Sequence, residues 1–222
     1  MDFIRSLFDP AQLVSHLTTM LYTLPGILLG LTLHELAHAF AADRLGDPTP
    51  RSMGRLSLNP IKHIDPIGFL MLLIAGFGWA KPVMTNPNYY RKKKFGFAIV
   101  GLAGPLTNLV LGFVLLFAGY GLVYGAGLTG DEVGMQILWL AVNINFALFI
   151  FNLLPVPPLD GFGILKDTLL LRYSNTRAVS VLEQYGPLLL LALLFTNVAS
   201  NVISFFLDKL WTLGTLVVGL FL

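Results

Sequence analysis

Residues 34–38 read His34-Glu35-Leu36-Ala37-His38. On a helix, positions i and i+4 sit one turn apart on the same face, so both imidazoles can ligate one ion. Glu35 lies close beside them, where its carboxylate can take a proton from water activated by that ion. Two neutral imidazoles suit zinc, which lowers the pKa of a bound water to about 7. The sequence contains no cysteine, which excludes disulfides, thiolate metal sites and cysteine nucleophiles. Three ionisable groups in one apolar helix are costly in lipid unless paired, metal-bound or hydrated. The plainer alternative is that the same three groups satisfy one another in a helix bundle.

The composition indicates what must carry these residues. The 222 residues are 55% hydrophobic and 12% charged, with a mean hydropathy of +0.75. A soluble domain carries about 25% charged residues, so lipid is the expected solvent. Net charge is +2, with basic residues clustered rather than spread as a nucleic-acid footprint; no nucleic-acid partner is expected. No cleaved signal peptide is expected at the N-terminus. A helical crossing takes about 20 residues. Expected spans run from near Pro25, placed in a helix's first turn, to Ala42, then over 97–121, 135–157 and 186–207. Residues 11–24 either extend the first helix or lie at the interface, and 210–222 is short for a span of its own. Residues 67–80 are apolar but short and broken by Gly76 and Gly78, which predicts a re-entrant segment. The flanking MGRLSLNP and AKPVMTNP stretches are candidates for short strands.

Basic residues orient the chain. Arg44, Arg51, Arg55 and Lys62, then Lys81 and Arg91 to Lys94, flank the short segment, and Lys166, Arg172 and Arg177 follow the third span. The loop at 122–134 has only Asp131 and Glu132. These charges fall on one side, the cytoplasmic one, if 67–80 does not cross. The first helix then runs inward, with its histidines near its inner end.

A zinc site needs a third protein ligand. Positions 41 and 44, where a metzincin would continue with Gly and His, hold Ala41 and Arg44. Glu132 falls on the outer side. Asp160, expected to close the third span in NLLPVPPLDG, reaches the inner side at the depth of the histidines. Pro-Leu-Asp-Gly is also good turn chemistry, and the residues alone leave both readings open. His63 and Asp65 fit a turn or a supporting role, and His16 an interfacial position. Gly104, Asn108 and Gly112 form a small, polar stripe suited to close helix packing. Asn145 fits an interhelical hydrogen bond.

Together HELAH at 34–38 and NLLPVPPLDG at 152–161, with LNPIKHIDPIG at 58–68, GWAKPV at 78–83 and AGPLTN at 103–108, resemble the site-2 protease family of intramembrane zinc metalloproteases. The chain looks like the compact branch without PDZ or CBS domains. The resemblance implies one zinc per chain held by His34, His38 and Asp160, Glu35 as catalytic base, and Asn152 on the substrate backbone or the developing oxyanion. It implies a polytopic α-helical membrane protein: a three-helix catalytic core over about 20–165 with a re-entrant segment and short strands, plus C-terminal membrane segments over about 180–222. All of 1–222 would form a single integral-membrane domain. The expected function is hydrolysis of peptide bonds in or near transmembrane segments of membrane-protein substrates, in the cytoplasmic membrane. The alternative is a metal-binding transporter or channel using the same His/Glu/Asp cluster.

Overall fold

The structure is a computed structural model that describes residues 10–75, 78–91, 95–170 and 176–220. Gly76, Lys92 to Lys94, Arg172 and residues 221–222 lie outside the described residues. The described chain is helical: α1 (Pro10–Leu45), α2 (Thr49–Ser52), α3 (Pro66–Ala75), α4 (Gly96–Ala126), α5 (Val133–Asn152), α6 (Asp160–Thr168), α7 (Arg177–Phe195) and α8 (Val198–Gly219). Five of these, α1, α4, α5, α7 and α8, are long and apolar enough to cross a membrane. The chain is therefore an integral multi-pass membrane protein.

Helices α1, α4 and α5 pack against one another as the central bundle. Leu116, Val142 and Phe146 form one fully buried cluster between α4 and α5. Trp211 of α8 joins it, donating its indole N–H to Asn143 Oδ1 at 2.8 Å. Amide and indole satisfy each other where lipid offers no partner. A second cluster, Ala42, Tyr90 and Val100, ties the end of α1 to the start of α4.

Helix α3 has 10 residues, so it spans about 15 Å, half the thickness of the hydrocarbon. Its two flanks meet. Ile64 and Ala80 form an antiparallel bridge, and Lys81 N–H donates to the His63 carbonyl at 2.8 Å. Gly68 and Gly78 let the helix and the returning chain cross, since a Cβ on Gly78 would overlap the Gly68 carbonyl. Asp65 Oδ1 accepts from Gly68 N–H at 2.8 Å, capping the helix start. Ile67, Leu70, Leu73 and Ile74 all face outward.

Several expectations are corrected. Pro25 lies inside the 36-residue α1, not in a first turn, so 11–24 extend that helix. The expected span 186–207 is two helices. The break is at Asn197, whose φ of 58° is left-handed, a conformation Asn tolerates better than most residues. Residues 210–219 accordingly belong to α8. The third span stops at Asn152 rather than 157, because Pro155, Pro157 and Pro158 cannot continue it. Asp160 therefore opens α6 instead of closing α5. Among the described residues no strand forms around 53–60 or 80–87, and the single bridge is all the pairing present. Pro60, Pro82 and Pro87 remove N–H donors from both stretches.

Candidate metal centre

His34 and His38 are buried on α1, at 5% and 7% exposure. Asp160 reaches them from the first residue of α6. The far end of α6 is tethered to α4, where Asp167 Oδ2 accepts from Ala98 N–H at 3.1 Å. The carboxylate is thus delivered by a short helix fixed to the bundle.

Hydrogen bonds on the far side of each ring fix its protonation. His38 Nδ1 lies 2.7 Å from the Val100 carbonyl, which can only accept, so Nδ1 carries the proton. His34 Nδ1 lies 2.6 Å from Asn108 Oδ1. That amide cannot be flipped, because its Nδ2 donates to the Gly30 carbonyl at 3.1 Å and to Asn145 Oδ1 at 3.0 Å. Asn145 in turn donates to the Ala141 carbonyl at 2.8 Å, which fixes its own oxygen. Both imidazoles are therefore Nδ1–H donors, and as neutral rings each presents a bare lone pair at Nε2.

Those two lone pairs face each other and a carboxylate oxygen. The Nε2 atoms are 3.0 Å apart, and Asp160 Oδ2 is 3.2 Å from one and 3.3 Å from the other. Asp160 Oδ2 is buried without a hydrogen-bond partner. Three electron-pair donors at van der Waals distance, one of them anionic, repel unless a cation lies between them. Tetrahedral zinc with bonds of about 2.0–2.1 Å sets its ligands about 3.4 Å apart. The observed triangle fits zinc, for which His34, His38 and Asp160 would supply three protein ligands.

Gly104 of α4 makes the cluster possible. A Cβ there would overlap His38 Nε2 and lie 2.7 Å from His34 Nε2. Glu35, 9% exposed, is held separately: its Oε2 accepts the Val83 N–H at 2.9 Å. Asn152 ends α5 with its Nδ2 donating to the Leu148 carbonyl at 2.9 Å. Its hydrogen bond is to its own helix, not to the cluster. His63 is buried away from the site with Nε2 on the Ser57 carbonyl at 2.7 Å.

Sequence reasoning gave Asn108 and Asn145 to packing and interhelical bonding, and the structure adds that Asn108 orients His34. The available signal was an amide in an apolar helix, which must find a partner. Val83 and the Val100 carbonyl carried no signal, since each acts through its backbone.

Comparison with known proteins bears on the same cluster. The profile of peptidase family M50 matches residues 131–193, a stretch that includes Asp160. "Putative zinc metalloprotease YwhC" of Bacillus subtilis is 40% identical over 207 residues, covering 90% of this chain and 89% of that protein. "Putative zinc metalloprotease Rip2" of Mycolicibacterium smegmatis is 34% identical, covering 85% and 72%. A zinc metalloprotease of Methanocaldococcus jannaschii is 26% identical, covering 80% and 43%. No solved structure matches the chain significantly.

Proposed function

This chain belongs to peptidase family M50, and from that premise we propose that it is an intramembrane zinc endopeptidase. Its substrates are proposed to be membrane proteins cleaved in or near a transmembrane segment. One observation carries the reading: two Nε2 lone pairs and the Asp160 carboxylate converge within 3.3 Å on a membrane helix. His34, His38 and Asp160 would hold one zinc. Bound there, zinc supplies a Lewis acid for the scissile carbonyl and lowers the pKa of water at the fourth position.

The remaining steps belong to the chain's own groups. Glu35 accepts the proton of the attacking water and passes it to the leaving amine. Its Oε2 is engaged by Val83, so Oε1 is the oxygen that takes the proton. Asn108 and Val100 keep the Nδ1 protons in place, so neither ring turns its N–H toward the ligand edge. Asn152 is assigned to the substrate backbone or the developing oxyanion, for which the second N–H and the oxygen of its amide are not used by the bond to Leu148.

The meeting of the flanks at Ile64 and Ala80, together with a helix half the bilayer in length, supports a re-entrant 67–80 that enters the membrane and returns. Basic residues on both flanks support a site facing the cytoplasm. The whole of 1–222 is read as one membrane domain, with its catalytic core over about 20–165 and further membrane segments over about 180–222. The transporter or channel reading of the cluster finds no support among these relatives. The test is cleavage of a single-span model substrate in liposomes. Zinc chelation and Glu35→Gln should each abolish it, with Glu35→Gln keeping its metal; cleavage that persists in Glu35→Gln would overturn the reading.

A further inference from the structure

Arg55 is 4% exposed, and among the described residues no carboxylate lies within ion-pair distance of it. A guanidinium withdrawn from water without an anion must be offset by hydrogen bonds. Nη1 donates to the Lys62 carbonyl, and Nη2 donates to the Pro82 carbonyl at 3.1 Å. That second carbonyl is one end of the peptide unit joining Pro82 to Val83. The other end of the unit is the Val83 N–H, which donates to Glu35 Oε2 at 2.9 Å. A peptide unit is planar and resists twisting, so holding its oxygen fixes where its N–H points.

We infer that Arg55 is a positioning residue for Glu35, acting through the rigid peptide plane between Pro82 and Val83. The buried cation grips one end of the plane, and the carboxylate of the base hangs on the other. The inference rests on the reading of Glu35 as the catalytic base. Residues 81–86 have no strand partner among the described residues, so no sheet ladder sets the direction of the Val83 N–H. The grip on the Lys62 carbonyl ties the same guanidinium to the turn at Pro60–Lys62, which packs against α1, the helix that bears Glu35. A cation on the carbonyl oxygen also polarises the amide and strengthens its N–H as a donor.

The experiment uses the full chain, in liposomes with a single-span model substrate, as wild type, Glu35→Gln, Arg55→Lys, Val83→Pro and the Arg55→Lys/Val83→Pro double variant. Activity in Glu35→Gln would sink the assignment of the base, an outcome distinct from failure of the present inference. Arg55→Lys cannot reproduce the planar fork across two carbonyls. It is expected to keep its zinc and its KM while kcat falls about 10–100-fold. Val83→Pro removes the N–H but leaves the Pro82 carbonyl, and should cost a similar factor. Because the two act in series, the double variant should be no slower than the worse single one. Losses that multiply, a KM effect with kcat unchanged, or loss of zinc in Arg55→Lys would each overturn the inference. Should Val83→Pro fail to fold, amide hydrogen exchange decides. The Val83 amide should exchange about 10-fold faster in Arg55→Lys, the worth of one net hydrogen bond, and an unchanged rate would overturn the inference.

Discussion

Replacing Asn108 with Leu, a side chain of similar shape, removes three hydrogen bonds at the junction of α1, α4 and α5. They are those to His34 Nδ1 at 2.6 Å, to the Gly30 carbonyl at 3.1 Å and to Asn145 Oδ1 at 3.0 Å. The last two hold helices together, and interhelical bonds in membranes average about 0.6 kcal/mol each, so their loss should destabilise the fold by about 1 kcal/mol. The first bond has a different consequence. Without an acceptor, His34 is free to rotate or to move its proton to Nε2, where a metal would bind. Outer partners of metal-bound histidines are worth about 10–100-fold in metal affinity, or about 1.4–2.7 kcal/mol. Competition with a graded series of zinc chelators on detergent-solubilised protein measures that factor, and thermal unfolding of the metal-free protein measures the other. Asn145→Leu supplies the contrast: it touches Asn108 but not His34, and should lose stability with little change in zinc affinity. Asn108→Leu binding zinc within twofold of wild type, or Asn145→Leu weakening zinc equally, would refute the tautomer reasoning.

Gly104→Ala places a Cβ against both Nε2 atoms from a packed backbone, and zinc content should fall below about one tenth with activity lost. Gly121→Ala, with open space around it, should leave both intact, and metal analysis of the purified variants checks the pair. Asn152→Ala is expected to retain zinc while turnover drops about 10²–10³-fold, as for loss of an oxyanion donor; zinc loss in the folded variant would reassign it. The native chain has no cysteine, so single cysteines at Leu58, Asn88 and Thr129 can be labelled from either side of a vesicle. The first two should report one side and the third the other, whereas opposite sides for Leu58 and Asn88 would mean that 67–80 crosses.

The legible part of this protein was what neighbouring positions encode. The His34, Glu35, His38 spacing needs only helical geometry to be read, and the apolar stretch 67–80 is visibly too short for a full helical crossing. Asp160 does lie beside the two histidines, although not by the expected route, since proline ends α5 and a separate helix α6 presents the carboxylate. Pro25 and Asn197 misled in opposite directions. A proline that usually starts helices sits inside one, whereas the run 186–207 passes through Gly186 and Pro187 as helix and breaks at Asn197 instead. What stayed hidden was tertiary: Asn108 meets His34 across 74 positions, and Val83 meets Glu35 across 48. No local pattern records either meeting.

The central claim is that His34, His38 and Asp160 bind one zinc and leave a fourth position for water or substrate. Zinc X-ray absorption on the purified wild type and Asp160→Ala tests it most directly. The wild type should show about one zinc per chain, with two imidazole nitrogens and oxygen ligands at about 2.0–2.1 Å. Asp160→Ala should lose the metal or show a first shell short of one oxygen. A wild type without zinc, or a zinc shell indifferent to Asp160→Ala, would contradict the account.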